Sequence, residues 1–348
     1  MPLDTETMRA LYEQMVLIRA FETEAERQYK AARIGGYCHL SSGQEAATVG
    51  SVHALESDDL LVTGYRCHGF ALAREVEPEA VMAELFGRRD GCAHGRGGSM
   101  HLLDVGRGYY GGWGIVGGQL PIATGLALAL VRQERPQAVL CELGDGAVNM
   151  GAWHESLNLA AVWELPVVFL IINNGFGMGT AVDRASAVDE LYRRADSYGI
   201  RGERVDGDDL ELVADAAGEL LGEARAHRRP AVLELMTYRY RGHSVADAGL
   251  AYRTKDEIAE HMARDPITRV RTALRAAGVD DAELERVGDD VDRRIAAVVE
   301  AADASSEPDA SGLAQHMYAV GSDRQFAHML TGSPFGEREL VFAGGLGS

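Results

Sequence analysis

At 348 residues, with 46% hydrophobic and 25% charged, the chain can bury a large core and has an ordinary globular composition. A net charge of −19 argues against a nucleic-acid partner, which needs a basic face, and against an anionic membrane surface. No uninterrupted apolar stretch is long enough to span a bilayer, and the N-terminus shows no charged-then-apolar leader. The four cysteines (Cys38, Cys67, Cys92 and Cys141) form no CxxC pair, so a reducing cytoplasm is expected and a cysteine metal site is not.

In chain order, Met8, Leu11, Met15, Ile18, Phe21 and Ala25 recur at three- and four-residue steps, which predicts a packing helix over Thr5–Ile34. Gly35-Gly36 ends it. The stretch Gly36-Tyr37-Cys38-His39-Leu40 follows, and Ser42-Gly43-Gln44-Glu45-Ala46 opens a second helix. Taken alone, His39 is a polar loop residue. Asp59 to Thr63 reads as a strand ending in Gly64-Tyr65-Arg66-Cys67-His68-Gly69; a Tyr-Arg pair at a strand end can present a phenol and a fixed cation to a diphosphate. Glu79 to Phe86 is a short helix. Gly91 to Gly118 is a long Gly-rich loop that also carries Met100-His101, Tyr109-Tyr110 and Trp113, and it flows into a helix over Gln119–Val131. A loop of that length inside a compact fold is usually functional or disordered.

The next stretch carries the chemistry. Ala138 to Leu143 is a short apolar run of strand type, Ala152 to Trp163 has helical spacing, and Pro166 stops that helix before the β-branched strand Val167–Ile172. Between them lies Gly144-Asp145-Gly146-Ala147. The glycines let a ligand approach the backbone, and the helix start offers N–H groups to phosphate. Asp145 would repel a bare diphosphate, so its place there makes sense if a divalent cation bridges the two. Asn174 closes the following strand. Strand tips at the carboxyl edge are where α/β folds bind ligands, and Asp, Asn and a main-chain carbonyl are hard oxygen donors suited to Mg²⁺. A Rossmann-type nucleotide site fails, because Gly146 is followed by Gly151 rather than by a glycine three residues on.

After Asn174 comes Gly175-Phe176-Gly177-Met178-Gly179-Thr180, then an expected helix over Ser186–Tyr198. Val205 to Asp209 reads as a turn with N-cap chemistry, Leu210–His227 as an amphipathic helix, and Ala231–Thr237 as a buried strand. The loop Tyr238-Arg239-Tyr240-Arg241-Gly242-His243-Ser244-Val245-Ala246-Asp247 is a second chemical centre, with Arg239 and His243 leaving one strand end. Asp256–Val279 and Asp280–Ala302 read as two charged helices, and Ser305–Ser348 as a less regular tail set against a partner subunit. No repeats or linkers divide the chain. The expectation is one α/β domain over residues 1–348, its mostly parallel sheet flanked by helices, with an N-terminal helix and a helical extension from about residue 254.

Gly144-Asp145-Gly146 with Asn173-Asn174 resembles the thiamin diphosphate fingerprint. The surrounding sequence, roughly Leu11 to Ala301, is similar to the α subunits of 2-oxo acid dehydrogenase E1 components, most of all those of the pyruvate type. That resemblance implies the thiamin diphosphate-binding fold, thiamin diphosphate and Mg²⁺ as cofactors, and oxidative decarboxylation of a small 2-oxo acid with transfer of the acyl group to lipoyl-bearing E2. Acetoin and branched-chain 2-oxo acids are the alternative substrates. It also implies that Tyr65 and Arg66 grip the terminal phosphate and that Gly144, Asp145, Gly146, Ala147, Asn174 and Arg239 bind the diphosphate end. Asp145, Asn174 and the Phe176 carbonyl would hold the metal. Gly114 and Val116 would bond the aminopyrimidine, and Ile115 would prop the cofactor. His243, His39 and His68 are the implied catalytic candidates, and His243 would also contact the cofactor, near the thiazolium and the arriving lipoyl group. The family needs a carboxylate at the pyrimidine N1′, and nothing here resembles the domain that carries it. The implied partner is therefore an E1 β subunit in an α₂β₂ heterotetramer. Related mitochondrial chains are phosphorylated in the loop matching Ser244, but Ala251 stands where a second serine is expected, so kinase regulation is not expected here.

Overall fold

The computed structural model describes residues 3–312. Helix α1 (Thr5–Lys30) begins at Asp4, whose carboxylate accepts the Thr7 N–H at 2.7 Å, and buries the stripe from Met8 to Ala25. Then come α2 (Glu45–His53), β1 (Leu60–Gly64), α3 (His68–Ala73), α4 (Pro78–Leu85), β2 (Tyr109–Trp113), α5 (Gln119–Arg132), β3 (Val139–Gly144), α6 (Gly151–Val162) and β4 (Val167–Asn173). A two-residue hairpin, β5 (Phe176–Gly177) and β6 (Thr180–Ala181), leads through the short α7 (Val182–Ala185) to β7 (Arg201–Asp206), α8 (Leu210–His227) and β8 (Ala231–Met236). Helices α9 (Lys255–Met262), α10 (Pro266–Ala276) and α11 (Asp281–Ala304) follow. All of these elements belong to one compact unit ending at Glu307; a second unit begins at Pro308, of which residues 308–312 are described. The tail expected over Ser305–Ser348 lies largely outside the described residues.

Six strands form one sheet in the order β2-β1-β3-β4-β8-β7, and every pair is parallel. Parallel strands covered on both faces read as continuous apolar runs, as β3 and β4 do. Their side chains alternate. Leu140, Val168, Leu170 and Leu233 face α1, α2 and α8, while Val139, Cys141, Phe169 and Ile171 face α5 and α6. From β1 the chain moves outward to β2, then crosses back over β1 to β3 and continues the other way. That reversal opens a crevice between the carboxyl ends of β1 and β3.

Four expectations need correction. Tyr109–Trp113 is an edge strand and not a loop. Its glycines hide the pattern yet are required, since a Cβ on Gly112 would lie 2.5 Å from Cys67 Sγ. The rest of the Gly-rich segment is wound about the buried Glu84 carboxylate, which accepts the N–H groups of Ala93, Gly95, Gly97 and Gly98 at 2.7–3.1 Å. Val205 and Asp206 of the expected turn instead end a polar edge strand, Arg201–Asp206, stabilised by its ladder to β8 and not by its own pattern. The expected helix over Ser186–Tyr198 is a 3-10 helix over Leu191–Tyr198. Asp256–Val279 is two helices, because Asp265 caps a new one at Pro266: its carboxylate accepts the N–H groups of Ile267 and Thr268.

Candidate active site

The carboxyl tips of β1, β3, β4 and β8 meet around a cavity of about 260 Å³ at the crevice. Tyr65 and Arg66 enter it from the end of β1, and Gly144, Asp145, Gly146 and Ala147 from the end of β3. Asn174 and Phe176 come from the end of β4, and Arg239 and His243 from the loop after β8. Four stretches far apart in sequence thus reach one site because parallel strands end on the same edge.

The two asparagines divide their work, since neighbouring strand residues point to opposite faces. Asn173 is structural: its amide donates to Glu234 Oε1 at 2.7 Å, and its Oδ1 accepts the Gly175 N–H at 3.0 Å. Asn174, 8% exposed, takes the cavity side, where Arg239 Nη1 donates to its Oδ1 at 3.4 Å.

The charges in the cavity are unusual. Arg239 is 1% exposed, and its other bonds go to Arg241 O, Met178 O and the Tyr252 hydroxyl. Arg66 donates to Leu40 O at 2.5 Å and His243 O at 3.0 Å. Among the described residues neither guanidinium forms an ion pair with a carboxylate. Burial, then the like charge of Arg66, lowers Arg239 to about 10. Asp145, 4% exposed, is pushed up to about 6 by burial. Two cations without carboxylates and one buried acid suit a polyanion carried with a divalent cation: the anion would satisfy the arginines and the metal the aspartate. The residues present therefore fit a Mg²⁺-diphosphate.

The three histidines separate. His243 lines the cavity, and burial followed by Arg66 and Arg239 lowers it to about 4, so it is neutral at pH 7. His39, 5% exposed, lies behind it, with ring centroids 5.0 Å from His243 and 4.5 Å from Tyr65. Burial, with Arg66 next, holds His39 far below the usual imidazole range, and among the described residues its Nδ1 has no hydrogen-bond partner. His68 is a correction. It is fully buried away from the cavity lining, with Nδ1 against Glu22 Oε2 and Nε2 against Ser99 Oγ, both at 2.8 Å. Glu22 also accepts the N–H and hydroxyl of Ser41, so His68 braces the loop that contains His39.

Val116 lines the cavity, whereas Gly114 and Ile115 lie outside its lining and Ile115 is 75% exposed. Sequence reasoning missed Glu142, Gln119 and Gln44, which also line the cavity. Glu142 had a visible signal, an acid inside the apolar run 138–143; Gln119 and Gln44 had none, being helix-start residues like many others.

The loop after β8 is held shut by Asp247, which accepts from His243 N at 2.7 Å, Gly249 N at 2.8 Å and the Tyr252 hydroxyl at 2.6 Å. Gly242 is required there, because a Cβ would lie 1.9 Å from Asp247 O.

This arrangement is that of an α/β protein whose site, at the switch point of a parallel sheet, suits a phosphorylated ligand. The chain belongs to the dehydrogenase E1 component family, whose model matches residues 13–311; this is a family of thiamin diphosphate enzymes. It is similar to the pyruvate dehydrogenase E1 component subunit alpha of Rhizobium meliloti, at 44% identity over 87% of each chain. The subunit of that name from Rickettsia bellii is 40% identical over 88% of this chain and 94% of its own. The human mitochondrial somatic form is 40% identical over 88% of this chain and 78% of its own.

Proposed function

We propose that this chain is the α subunit of a pyruvate dehydrogenase E1, working with a β subunit as α₂β₂ and passing an acetyl group to lipoyl-bearing E2. The observation that carries the reading is the pair of guanidiniums, Arg66 and Arg239, that face the buried Asp145 carboxylate without an acidic partner of their own. The family and the relatives' names supply the substrate class. Asp145, Asn174 and the Phe176 carbonyl would hold Mg²⁺, and Tyr65, Arg66 and Arg239 the diphosphate. Gly114, Ile115 and Val116 would face the aminopyrimidine.

Bound there, thiamin diphosphate would supply the nucleophilic carbon and the electron sink for decarboxylation of a 2-oxo acid. This chain's part is positioning. Arg239, itself buried, and Arg66 would fix the anion among largely buried groups, where charge interactions are stronger than in water. His243, held neutral and lining the cavity, presents an uncharged imidazole to whatever binds there. His39 packs its ring from behind. The exposed Ile115 and the open side of the cavity beside it await the β subunit, which would bring the carboxylate for the pyrimidine. The four unpaired cysteines fit a reducing compartment, the cytoplasm.

The test is to co-express the chain with its β subunit and follow pyruvate-dependent reduction of an artificial acceptor, with acetoin and branched-chain 2-oxo acids as competitors. Activity is expected only with both subunits, thiamin diphosphate and Mg²⁺, and with pyruvate preferred. A His243→Ala variant should bind cofactor normally yet transfer acyl groups to lipoamide about 10²-fold more slowly. Turnover by this chain alone, or a preference for acetoin, would sink the corresponding part of the assignment.

A further inference from the structure

Strands β1 and β3 pair only as far as Val62 and Cys141. Their outer partners go further: β1 stays with β2 to Gly64, and β3 stays with β4 to Gly144. The two tips therefore part beneath the cavity. At the parting the Gly64 N–H goes to a side chain, Glu142 Oε2, at 2.8 Å. Glu142 is 5% exposed and lines the cavity. It stands in an apolar row, beyond Leu140 on its own strand and opposite Leu170 on β4. Among the described residues its carboxyl has no hydrogen-bond partner other than Gly64 and no ion pair.

An ionised carboxylate in that cavity would oppose a diphosphate bound there, and Glu142 is not among the residues proposed to hold the metal, Asp145, Asn174 and Phe176. We propose that Glu142 is a diphosphate-binding residue that acts as a neutral acid: it takes a proton from solvent as the anion enters and donates the resulting O–H to a phosphate oxygen. On release of the anion the proton returns to solvent. This inference rests on the diphosphate reading of the site. The other oxygen keeps the Gly64 N–H, which fixes the strand end that carries Tyr65 and Arg66. The charged and titratable groups sharing the cavity are Tyr65 and Arg66 from the end of β1, Asp145 from the end of β3, and Arg239 and His243 from the loop after β8; α5 contributes the uncharged Gln119. Burial already raises the free carboxyl to about 7, against the opposing pull of Gly64 and Arg66, and an incoming anion raises it further.

The experiment is titration calorimetry of thiamin diphosphate with Mg²⁺ into the α–β complex, at about pH 7.5, in buffers of different protonation enthalpy. It is run on wild type, Glu142→Gln and Glu142→Leu. Wild type should take up about three quarters of a proton more than Glu142→Gln. Its affinity should fall from about pH 7 to pH 9 by up to tenfold per pH unit relative to that variant. Glu142→Gln keeps both an acceptor for Gly64 and a donor for phosphate, so it should bind well and with a flatter pH profile; Glu142→Leu should bind weakly throughout. Equal proton uptake in wild type and Glu142→Gln overturns this proposal while leaving the cofactor reading intact. Absence of binding by wild type overturns both. Should the variants fail to assemble, the wild-type infrared difference spectrum on adding cofactor decides: a new protonated-carboxyl band is expected, and its absence overturns the proposal.

Discussion

Asp145 and His39 show how burial turns ordinary side chains into specialised ones. Asp145 sits on a strand tip with 4% exposure, and among the described residues no cation forms an ion pair with it. With the proposed Mg²⁺ as its partner, that charge would be costly until the metal arrives, and metal and cofactor binding would be interdependent. Asp145→Asn should therefore weaken Mg²⁺-dependent thiamin diphosphate binding by at least about 100-fold in calorimetry while leaving the fold intact by circular dichroism. His39 illustrates the opposite sign. Burial and Arg66 depress its folded-state pKa far below the unfolded value of 6.5. The unfolded chain then binds the proton and the native chain does not, so this term is fully favourable above 6.5 and is lost as pH falls below it. Relative to His39→Gln, wild type should lose up to about 2 kcal/mol by pH 5, seen as a roughly 5 °C convergence of melting temperatures. Parallel curves would mean that His39 is protonated or solvated in the native chain.

The elements that build the site are short connections between strong ones. Strands β3, β4 and β8 are buried along nearly their whole length and define where the tips end. The connections then carry the function, as surface segments positioned by a rigid scaffold commonly do. The loop after β8 is the most demanding. Asp247 gathers three donors on it, and Gly242 passes so close to Asp247 that a methyl group has no room. Gly242→Ala should open this loop, raising hydrogen exchange over 241–253 and weakening cofactor binding by on the order of tenfold to a hundredfold, with the sheet unaffected. Exchange unchanged from wild type would show that the loop absorbs the methyl by another path. The Gly-rich segment before α5 obeys the same logic through Glu84, whose carboxylate ties together four backbone N–H groups and gives a glycine-heavy stretch one conformation.

Seen whole, the molecule leaves one side of its site unfinished. Ile115, Ile122 and Met150 are exposed near the cavity, and α5 presents Gly125 and Ala129 outward between them and its far end. Among the described residues a Cβ on Gly125 would meet nothing within 4 Å, so its smallness answers no packing need among them. Close helix packing across a subunit boundary is the use the proposed heterotetramer gives it. Gly125→Arg should leave the melting temperature of the chain within about 2 °C of wild type, since exposed helix positions tolerate a better helix former, but should abolish the α₂β₂ species in sedimentation velocity. A variant that still assembles would move the β subunit to another face.

The alternating apolar runs, the helix periodicities and the turn glycines made the α/β class, the strands from β3 onward into β4 and β8, and the helices α1, α5, α6 and α8 legible in the sequence, because burial on one face or two leaves a repeating mark. Asp145, Asn174, Tyr65, Arg66, Arg239 and His243 were legible as residues gathered at one edge, since the first four follow closely on readable strands and the last two lie in the loop after another. The rest was decided in three dimensions. Edge strands β2 and β7 are strands because a neighbour offers a ladder, not because of their own residues. His68 shares a motif with Arg66 but turns into the core to meet Glu22, a partner 46 positions away. Glu142 shows as an odd acid in a strand, and only the parting of β1 from β3 gives it a cavity to face. Local periodicity fixes which segments fold and which face they bury; long-range pairing alone decides which polar groups end up unpartnered together, and that is where the chemistry sits.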